Sequence, residues 1–403
     1  MPLNAVADFQ LDDVEVRSLL AEACRRATTS ALEAAFERAG DGAGLDPEEV
    51  ALLWSAPQLS ADALCHLAYA VRRAHPVRLE TFSPLYLTNT CDAECRMCGM
   101  RRDNQALVRQ TADPDAIEAQ LHTLRRRGMQ AVALLTGEYR SAQRGWALAF
   151  VNRVLRRTQA LGFRHVLLNV GSVERDEFDV LLDGIPRRDD GAVQPKLTLC
   201  TFQEAYSRPQ YAKFMGTNGD NPRADYDRRL ANFDRGWRAG LRVANPGILV
   251  GLNSDLGFEL LALVRHARHL QARGMEVYLS VPRLRQIAGS HHQRGAADDA
   301  FVRLVSILSL ALPTGKIVLT TRESAAIQRQ LVPIVTVLSA GSAAVAPYTD
   351  TGARFPLENS QFEVVDQRPF EAVLAEWQGP GGIENFEPAV SAPLDHADSG
   401  SPG

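Results

Sequence analysis

The chain has 403 residues, 45% hydrophobic and 23% charged, the proportions of a globular protein long enough for one large α/β core or two ordinary domains. A formal net charge of -4 argues against a protein built around a phosphate backbone, so no nucleic-acid partner is expected, although a local basic pocket stays open. No apolar run approaches the ~20 residues of a bilayer helix, and the first twenty residues are acidic, without a basic region leading into an apolar one; no membrane association is expected and the chain reads as cytoplasmic.

Residues 15 to 75 read as helices. LLAEACRRATTSALEAAFERA has apolar positions three and four apart, Asp46-Pro47-Glu48-Glu49 has the acidic, proline-first character of a helix start, and a third amphipathic stretch covers 59–73. Residues 1–80 are therefore expected to form a helical extension. From residue 84 the period changes, and short apolar runs alternate with helical patterns. The strand candidates are Leu85–Thr88, Ala131–Thr136, His165–Val170, Lys196–Thr201, Ile248–Leu252, Glu276–Val281, Ile317–Thr321 and Ile334–Leu338. The helical patterns between them are 112–127, 142–159, 227–240, 257–273, 297–310 and 323–331, long enough for the crossovers that a parallel sheet requires.

Eight such units predict an α/β fold, a (β/α)8 TIM barrel over residues 81–345; a doubly wound open sheet is the competing arrangement. Polar residues decide between them. Cys91, Thr136-Gly137-Glu138, Asn169, Gln203-Glu204, Arg283, Arg322 and Ser339 all fall at or just after strand C-termini, and a barrel brings those ends around one cavity. Residues 346–380 are expected to be a C-terminal strip packed on the barrel, and 381–403, rich in Pro, Ser, Gly and Asp, a disordered tail.

Six cysteines are too few for a disulfide scaffold at this length, and three of them cluster. Cys91, Cys95 and Cys98 form C-x3-C-x2-C directly after the first strand candidate. Three thiolates on a tight loop can hold three irons of a 4Fe-4S cubane and leave the fourth without a protein ligand. Zinc fits less well, since structural zinc wants four protein ligands and the nearest histidines, His66 and His75, lie in the helical extension. The loop resembles that of the radical S-adenosylmethionine enzymes, C-x3-C-x-φ-C with φ usually aromatic. Here φ is Met97, which keeps an apolar side chain near the adenine but removes the ring. The resemblance implies a 4Fe-4S cluster on Cys91, Cys95 and Cys98, with S-adenosyl-L-methionine chelating the open iron.

Thr136-Gly137-Glu138 is similar to that family's Gly-Gly-Glu motif, in which a carboxylate beside a residue lacking Cβ accepts hydrogen bonds from the cofactor amine. Asn169, Gln203 and Glu204 are expected to line the same cofactor site. Arg229 is expected to hold the carboxylate of the cofactor's methionine moiety. Cys200 reads as a buried apolar filler.

The strings FQEAY, DYDRRL, SVPRLR, TTRES and SAGS, in that order, resemble the aromatic amino acid lyase branch of the radical family over about residues 80 to 378, and NTCDAECRMCGMRRDN resembles its tryptophan lyases. That resemblance implies a C-terminal strip of the biotin- and thiamine-synthase-associated type. It matches Tyr86 to a tyrosine near the reacting amine, and Arg322 and Ser339 to the residues that hold the substrate carboxylate. Arg283 and Arg285 are expected to be cavity wall or cofactor support. The implied reaction converts L-tryptophan to 3-methyl-2-indolic acid with release of formaldehyde and ammonia, through a 5′-deoxyadenosyl radical and with a flavodoxin- or ferredoxin-type electron donor. The alternatives are a tyrosine lyase giving dehydroglycine and p-cresol, or another radical S-adenosylmethionine enzyme acting on an aromatic amino acid. No cysteine follows Cys200, so a second cysteine-ligated cluster near the C-terminus is excluded.

Overall fold

In the computed structural model, which describes residues 7–378 except 77, 195, 291–294, 350 and 351, four helices precede the first strand. They are α1 (Asp13–Arg26), α2 (Thr29–Gly40), α3 (Pro47–Ser55) and α4 (Ala61–Ala74). The single helical run expected over LLAEACRRATTSALEAAFERA is broken in two, because the Thr28 hydroxyl accepts from Ala31 N at 3.3 Å and starts a new helix. The Asp46 start is as expected. Its carboxylate accepts from Glu49 N, and the Glu49 carboxylate accepts from Asp46 N, both at 2.9 Å, a reciprocal capping box.

The barrel units follow in order: β1 (Glu80–Tyr86), α5 (Pro114–Arg126), β2 (Ala131–Leu135), α6 (Ser141–Ala160), β3 (His165–Asn169), α7 (Arg175–Leu181) and β4 (Lys196–Glu204). Then come α8 (Arg208–Met215), α9 (Tyr226–Leu230), α10 (Asn232–Arg238), β5 (Val243–Ile248), α11 (Leu256–Ala272), β6 (Glu276–Ser280), α12 (Asp298–Ala311), β7 (Lys316–Leu319), α13 (Ala325–Leu331) and β8 (Val337–Ser339). Among the described residues the eight strands form a closed, all-parallel barrel in sequence order, with β8 returning to β1 where Phe82 lies opposite Ser339. The expected α/β TIM barrel with helical extensions is the observed fold. A two-stranded hairpin of β9 (Tyr348–Thr349) and β10 (Gly352–Ala353), a single 3-10 turn and α14 (Phe370–Gln378) complete the described chain; the tail expected over 381–403 lies outside the described residues.

Three strands start three or more residues from their expected positions, β8 among them, at Val337 rather than Ile334. β5 is Val243–Ile248, five residues upstream of the expected Ile248–Leu252. Asn245-Pro246-Gly247 has the composition of a turn, yet it is paired with β4, Cys200 opposite Asn245 and Thr201 opposite Pro246, so barrel closure overrides local preference. β1 likewise begins at Glu80 and carries Pro84 in its middle. The helix expected over 227–240 is split into α9 and α10, and α7 and α8 were not expected at all.

The N-terminal helices cover the α11–α12 side of the barrel. Arg303 of α12 caps the end of α3, its Nη2 donating to the carbonyls of Trp54 and Ala56 at 2.9 Å. Arg72 of α4 reaches Ser309 Oγ at 3.2 Å.

The N-terminal mouth of the barrel is closed by charge. Glu80, Lys196, Glu276 and Lys316 are the first residues of β1, β4, β6 and β7, so strand order gathers them at one end. Lys196 Nζ donates to Glu276 at 2.9 Å and to the Tyr278 hydroxyl at 2.8 Å, and Lys316 bonds Glu80 and Glu276. Burial alone would raise both carboxylates, but the lysine hydrogen bonds and charges outweigh it and hold Glu80 and Glu276 below the usual glutamate value. The stability they contribute is present above that value and is lost as pH falls through the depressed folded values. Replacing Glu276 with Gln should lower the melting temperature at neutral pH and flatten its decline between about pH 5 and pH 3, as read by thermal denaturation across pH; a decline as steep as wild type would refute the linkage.

Candidate functional site

The opposite, C-terminal mouth holds a cavity with about 1220 Å³ of empty space, its open entrance included. Cys91, Cys95 and Cys98, on the loop after β1, all line it.

The loop is fixed to β2 by a close backbone approach. A Cβ at Gly137 would stand 2.0 Å from the Thr90 carbonyl oxygen and 2.7 Å from Cys91 Cβ, so only glycine lets the two segments meet. Across the contact Glu138 N donates to Cys91 Sγ at 3.3 Å, and Asp92 N donates to the Glu138 carbonyl at 2.9 Å. Ala93 N also donates to Cys91 Sγ, at 3.4 Å, and Gln361 Nε2 donates to Cys98 Sγ at 3.4 Å. Burial, with repulsion from the neighbouring thiols, pushes the Cys91 thiol up to about 12. Cys95 is also pushed to about 12 by burial, although the Arg223 and Arg229 charges oppose the shift.

Three soft thiols on one wall, met by N–H donors and facing two guanidiniums, are suited to an electron-poor metal centre that would draw them into the thiolate form. Among the described residues no three His, Cys, Asp or Glu side chains converge where a single metal ion would sit. The three thiols share one loop and one wall of the cavity.

Beside the cysteines lies a buried ionic group. Glu138 accepts from Arg229 Nη1 at 3.2 Å and from Ser172 N at 3.0 Å, with Arg223 Nε 3.7 Å away. Gly171, at φ +79°, makes room for this carboxylate, because a Cβ there would stand 2.6 Å from Glu138 Cδ. Glu204 sits at φ 68° where the β4–β5 register shifts, and its carboxylate accepts from Arg223 Nη2 at 3.1 Å. Glu138 is thus engaged by protein donors, and Arg229 is held twice, by Glu138 and by the Phe202 carbonyl at 2.7 Å.

On the far side, Arg322 follows β7. Its guanidinium stacks 3.4 Å above the Phe362 ring centroid, and Nη1 donates to the Arg283 carbonyl at 3.3 Å. Among the described residues no carboxylate forms an ion pair with it. Its remaining exposure is into the cavity, and burial pulls it down to about 10. Tyr86, the last residue of β1, donates its hydroxyl proton to Gln361 Oε1, and burial raises it further out of reach of ionisation. Ser339, the last residue of β8, lines the same wall.

Of the residues expected from sequence, Tyr86, Cys91, Cys95, Cys98, Thr136, Gly137, Glu138, Asn169, Glu204, Arg229, Arg322 and Ser339 all line this one cavity. Met97 and Gln203 do not. Met97 is buried in the core beneath the loop, and Gln203 turns away, its Nε2 3.4 Å from the Tyr226 carbonyl, because strand alternation sends it to the face opposite Phe202 and Glu204. Arg283 and Arg285 do not line it either. Both are tied to the buried Glu323, Arg283 Nε at 2.7 Å and Arg285 Nη2 at 3.0 Å, so they support the segment carrying Arg322. Arg223, Asn245, Gln361 and Phe362 also line the cavity, beyond the residues expected from sequence; the last two lie some 260 residues from the cysteines and carry no local signal.

Comparison with known proteins follows the same lines. Residues 280–381 match the Biotin and Thiamin Synthesis associated domain, a segment that begins within β6 and so includes the last barrel strands as well as the C-terminal strip. The 2-iminoacetate synthase of Escherichia coli (strain K12) is 26% identical over 335 residues, 79% of this chain and 81% of that protein. Its counterpart from Salmonella typhimurium is 24% identical over 309 residues, 74% of this chain and 76% of that one. The crystal structure of HydG, a maturase of the FeFe-hydrogenase, superposes with a TM-score of 0.77 at 26% identity, covering 91% of this chain and 78% of that one. In sequence and in fold the chain is thus similar to the 2-iminoacetate synthases and to HydG, and its last barrel strands and C-terminal strip are similar to the Biotin and Thiamin Synthesis associated domain.

Proposed function

We propose that the protein is a radical S-adenosylmethionine lyase that fragments a free aromatic amino acid. The observation that carries this reading is Arg322. A guanidinium enclosed in a cavity, stacked on one face and without a carboxylate partner among the described residues is a site made for an anion, and an amino acid carboxylate would supply two acceptors to its fork. In this proposal Cys91, Cys95 and Cys98 hold the 4Fe-4S cluster. Thr136, Gly137, Glu138, Asn169, Glu204, Arg223 and Arg229 form the wall against which S-adenosylmethionine lies. When bound, cluster and cofactor supply a 5′-deoxyadenosyl radical, given one electron from a flavodoxin- or ferredoxin-type donor.

The chain's own share is positioning. Arg322 and Ser339 hold the substrate carboxylate. Tyr86 has committed its proton to Gln361, so its oxygen faces the cavity as an acceptor for the substrate amine. The clamp keeps a charged fragment in place while the side chain departs, and the apolar barrel wall excludes water from it.

Two substrates are weighed. The relatives named 2-iminoacetate synthase favour L-tyrosine and its cleavage to dehydroglycine (2-iminoacetate) and p-cresol, the hydrogen that leaves on deoxyadenosine being replaced on the cresol fragment by a second electron from the donor and a proton. The cysteine-loop string with Met97 favours L-tryptophan and formation of 3-methyl-2-indolic acid. Anaerobically reconstituted, reduced protein given each amino acid and S-adenosylmethionine should yield either p-cresol or the indolic acid, by chromatography and mass spectrometry; neither product would overturn the reading.

Cys95→Ala should lose the visible charge-transfer absorption of the reconstituted protein and its consumption of S-adenosylmethionine, and unchanged spectra would remove Cys95 from the ligand set. Arg322→Ala should keep that absorption while raising KM for the amino acid by about 10–100-fold, the worth of a charge-assisted hydrogen bond. An unchanged KM and product would refute the carboxylate role.

A further inference from the structure

We propose that Asn245 is the residue that fixes the far end of the substrate, accepting a hydrogen bond from a donor carried on the aromatic ring, an indole N–H or a phenol O–H. The inference rests on the reading of the substrate as an aromatic amino acid and goes beyond it by naming what the ring must carry.

Asn245 is the third residue of β5, is 2% exposed and lines the cavity. Among the described residues its Oδ1 has no hydrogen-bond partner, a state that buried polar atoms rarely keep unless something outside the protein satisfies them. The orientation of the amide is set by its neighbour on β4. The Cys200 thiol lies 3.8 Å from the Thr198 carbonyl oxygen, to which it donates its proton, so the sulfur facing Asn245 is an acceptor and takes the Nδ2 hydrogen at 3.6 Å. With the amino group engaged there, the carbonyl oxygen is the end left over.

Position supplies the second argument. In an eight-stranded barrel closed in sequence order, β5 stands directly across from β1, four strands away in either direction. The groups assigned to the amino acid head, Tyr86, Arg322 and Ser339, belong to β1, the β7 end and β8. A substrate held by its carboxylate on that side points its side chain toward β4 and β5. The wall along the way is apolar, with Pro84, Leu135, Leu167, Phe202 and Val318 facing the cavity. Ser280 and Asn169 also line the cavity, but the Asn245 oxygen is the buried amide acceptor left without a partner on this side, and an acceptor set so against an apolar wall recognises a flat ring that bears a donor.

The test compares each donor-bearing amino acid with an isostere lacking the donor: L-tryptophan with 3-(benzothiophen-3-yl)-L-alanine, and L-tyrosine with L-phenylalanine. With reconstituted wild-type holoenzyme the donor-bearing member of the pair that is turned over should be preferred in kcat/KM on the order of 100-fold. Asn245→Leu should bring that ratio close to one, chiefly by raising KM for the donor-bearing substrate. Asn245→Asp, which keeps an acceptor oxygen in place, should retain the preference and guards against a leucine variant that fails to fold. A ratio in Asn245→Leu equal to wild type, at an unchanged melting temperature, overturns the assignment of Asn245 and leaves the aromatic amino acid reading standing. Loss of the preference in Asn245→Asp as well, with absorption of the cluster intact, also overturns it. Wild-type protein that turns over neither tryptophan nor tyrosine overturns the substrate reading, and this inference with it.

Discussion

The site depends on one backbone contact. The chain leaving β2 passes so close to the loop leaving β1 that no side chain fits at Gly137, and the two segments are joined there by hydrogen bonds in both directions, Glu138 N to Cys91 Sγ and Asp92 N to the Glu138 carbonyl. That contact sets the position of the first thiol relative to the barrel mouth. It also aims the Glu138 side chain across to Ser172 and Arg229, so the loops after β2, β3 and β4 are linked through a single carboxylate.

The C-terminal segment completes the other half of the mouth. Gly99 N donates to the Gln361 carbonyl at 2.9 Å, Gln361 N to the Ala343 carbonyl at 3.0 Å, and Val108 N to the Glu358 carbonyl at 2.8 Å, so the segment is stitched to the cysteine loop and to the residues after β8 at once. From there Gln361 divides its amide between Cys98 and Tyr86, and Phe362 backs Arg322. The matched associated domain is in this sense part of the site's wall, and one side chain couples the thiol loop to the groups assigned to the substrate amine.

Charge is distributed unevenly between the two barrel ends. The N-terminal mouth is neutralised, two glutamates against two lysines with Tyr278 between them. At the C-terminal mouth Arg223 and Arg229 are balanced by Glu138 and Glu204, whereas Arg322 is left to face the cavity. Among the described residues Arg322 has no carboxylate partner, and in the proposed function the substrate carboxylate takes that place. This asymmetry separates the end that stabilises the fold from the end that holds the candidate site.

The amino-acid sequence by itself determined the barrel, because eight apolar runs spaced for crossovers have few other ways to bury their faces, and it determined that the polar residues after those runs share a mouth. The three-thiol loop was equally legible, since its cysteines lie within eight residues of one another. What only the tertiary structure decided were positions set by pairing or by distant contacts. Asn245-Pro246-Gly247 reads locally as a turn and becomes strand because β4 and β6 flank it. Gln203 reads as a cavity residue and is turned outward by strand alternation, while Arg283 is drawn off by Glu323. Gln361, Phe362 and the unsatisfied Asn245 oxygen have no signature in their own neighbourhoods, for their meaning arises from segments that meet only when the barrel closes. Local periodicity encodes which elements form; the identity of a side chain's partner is a property of three-dimensional closure.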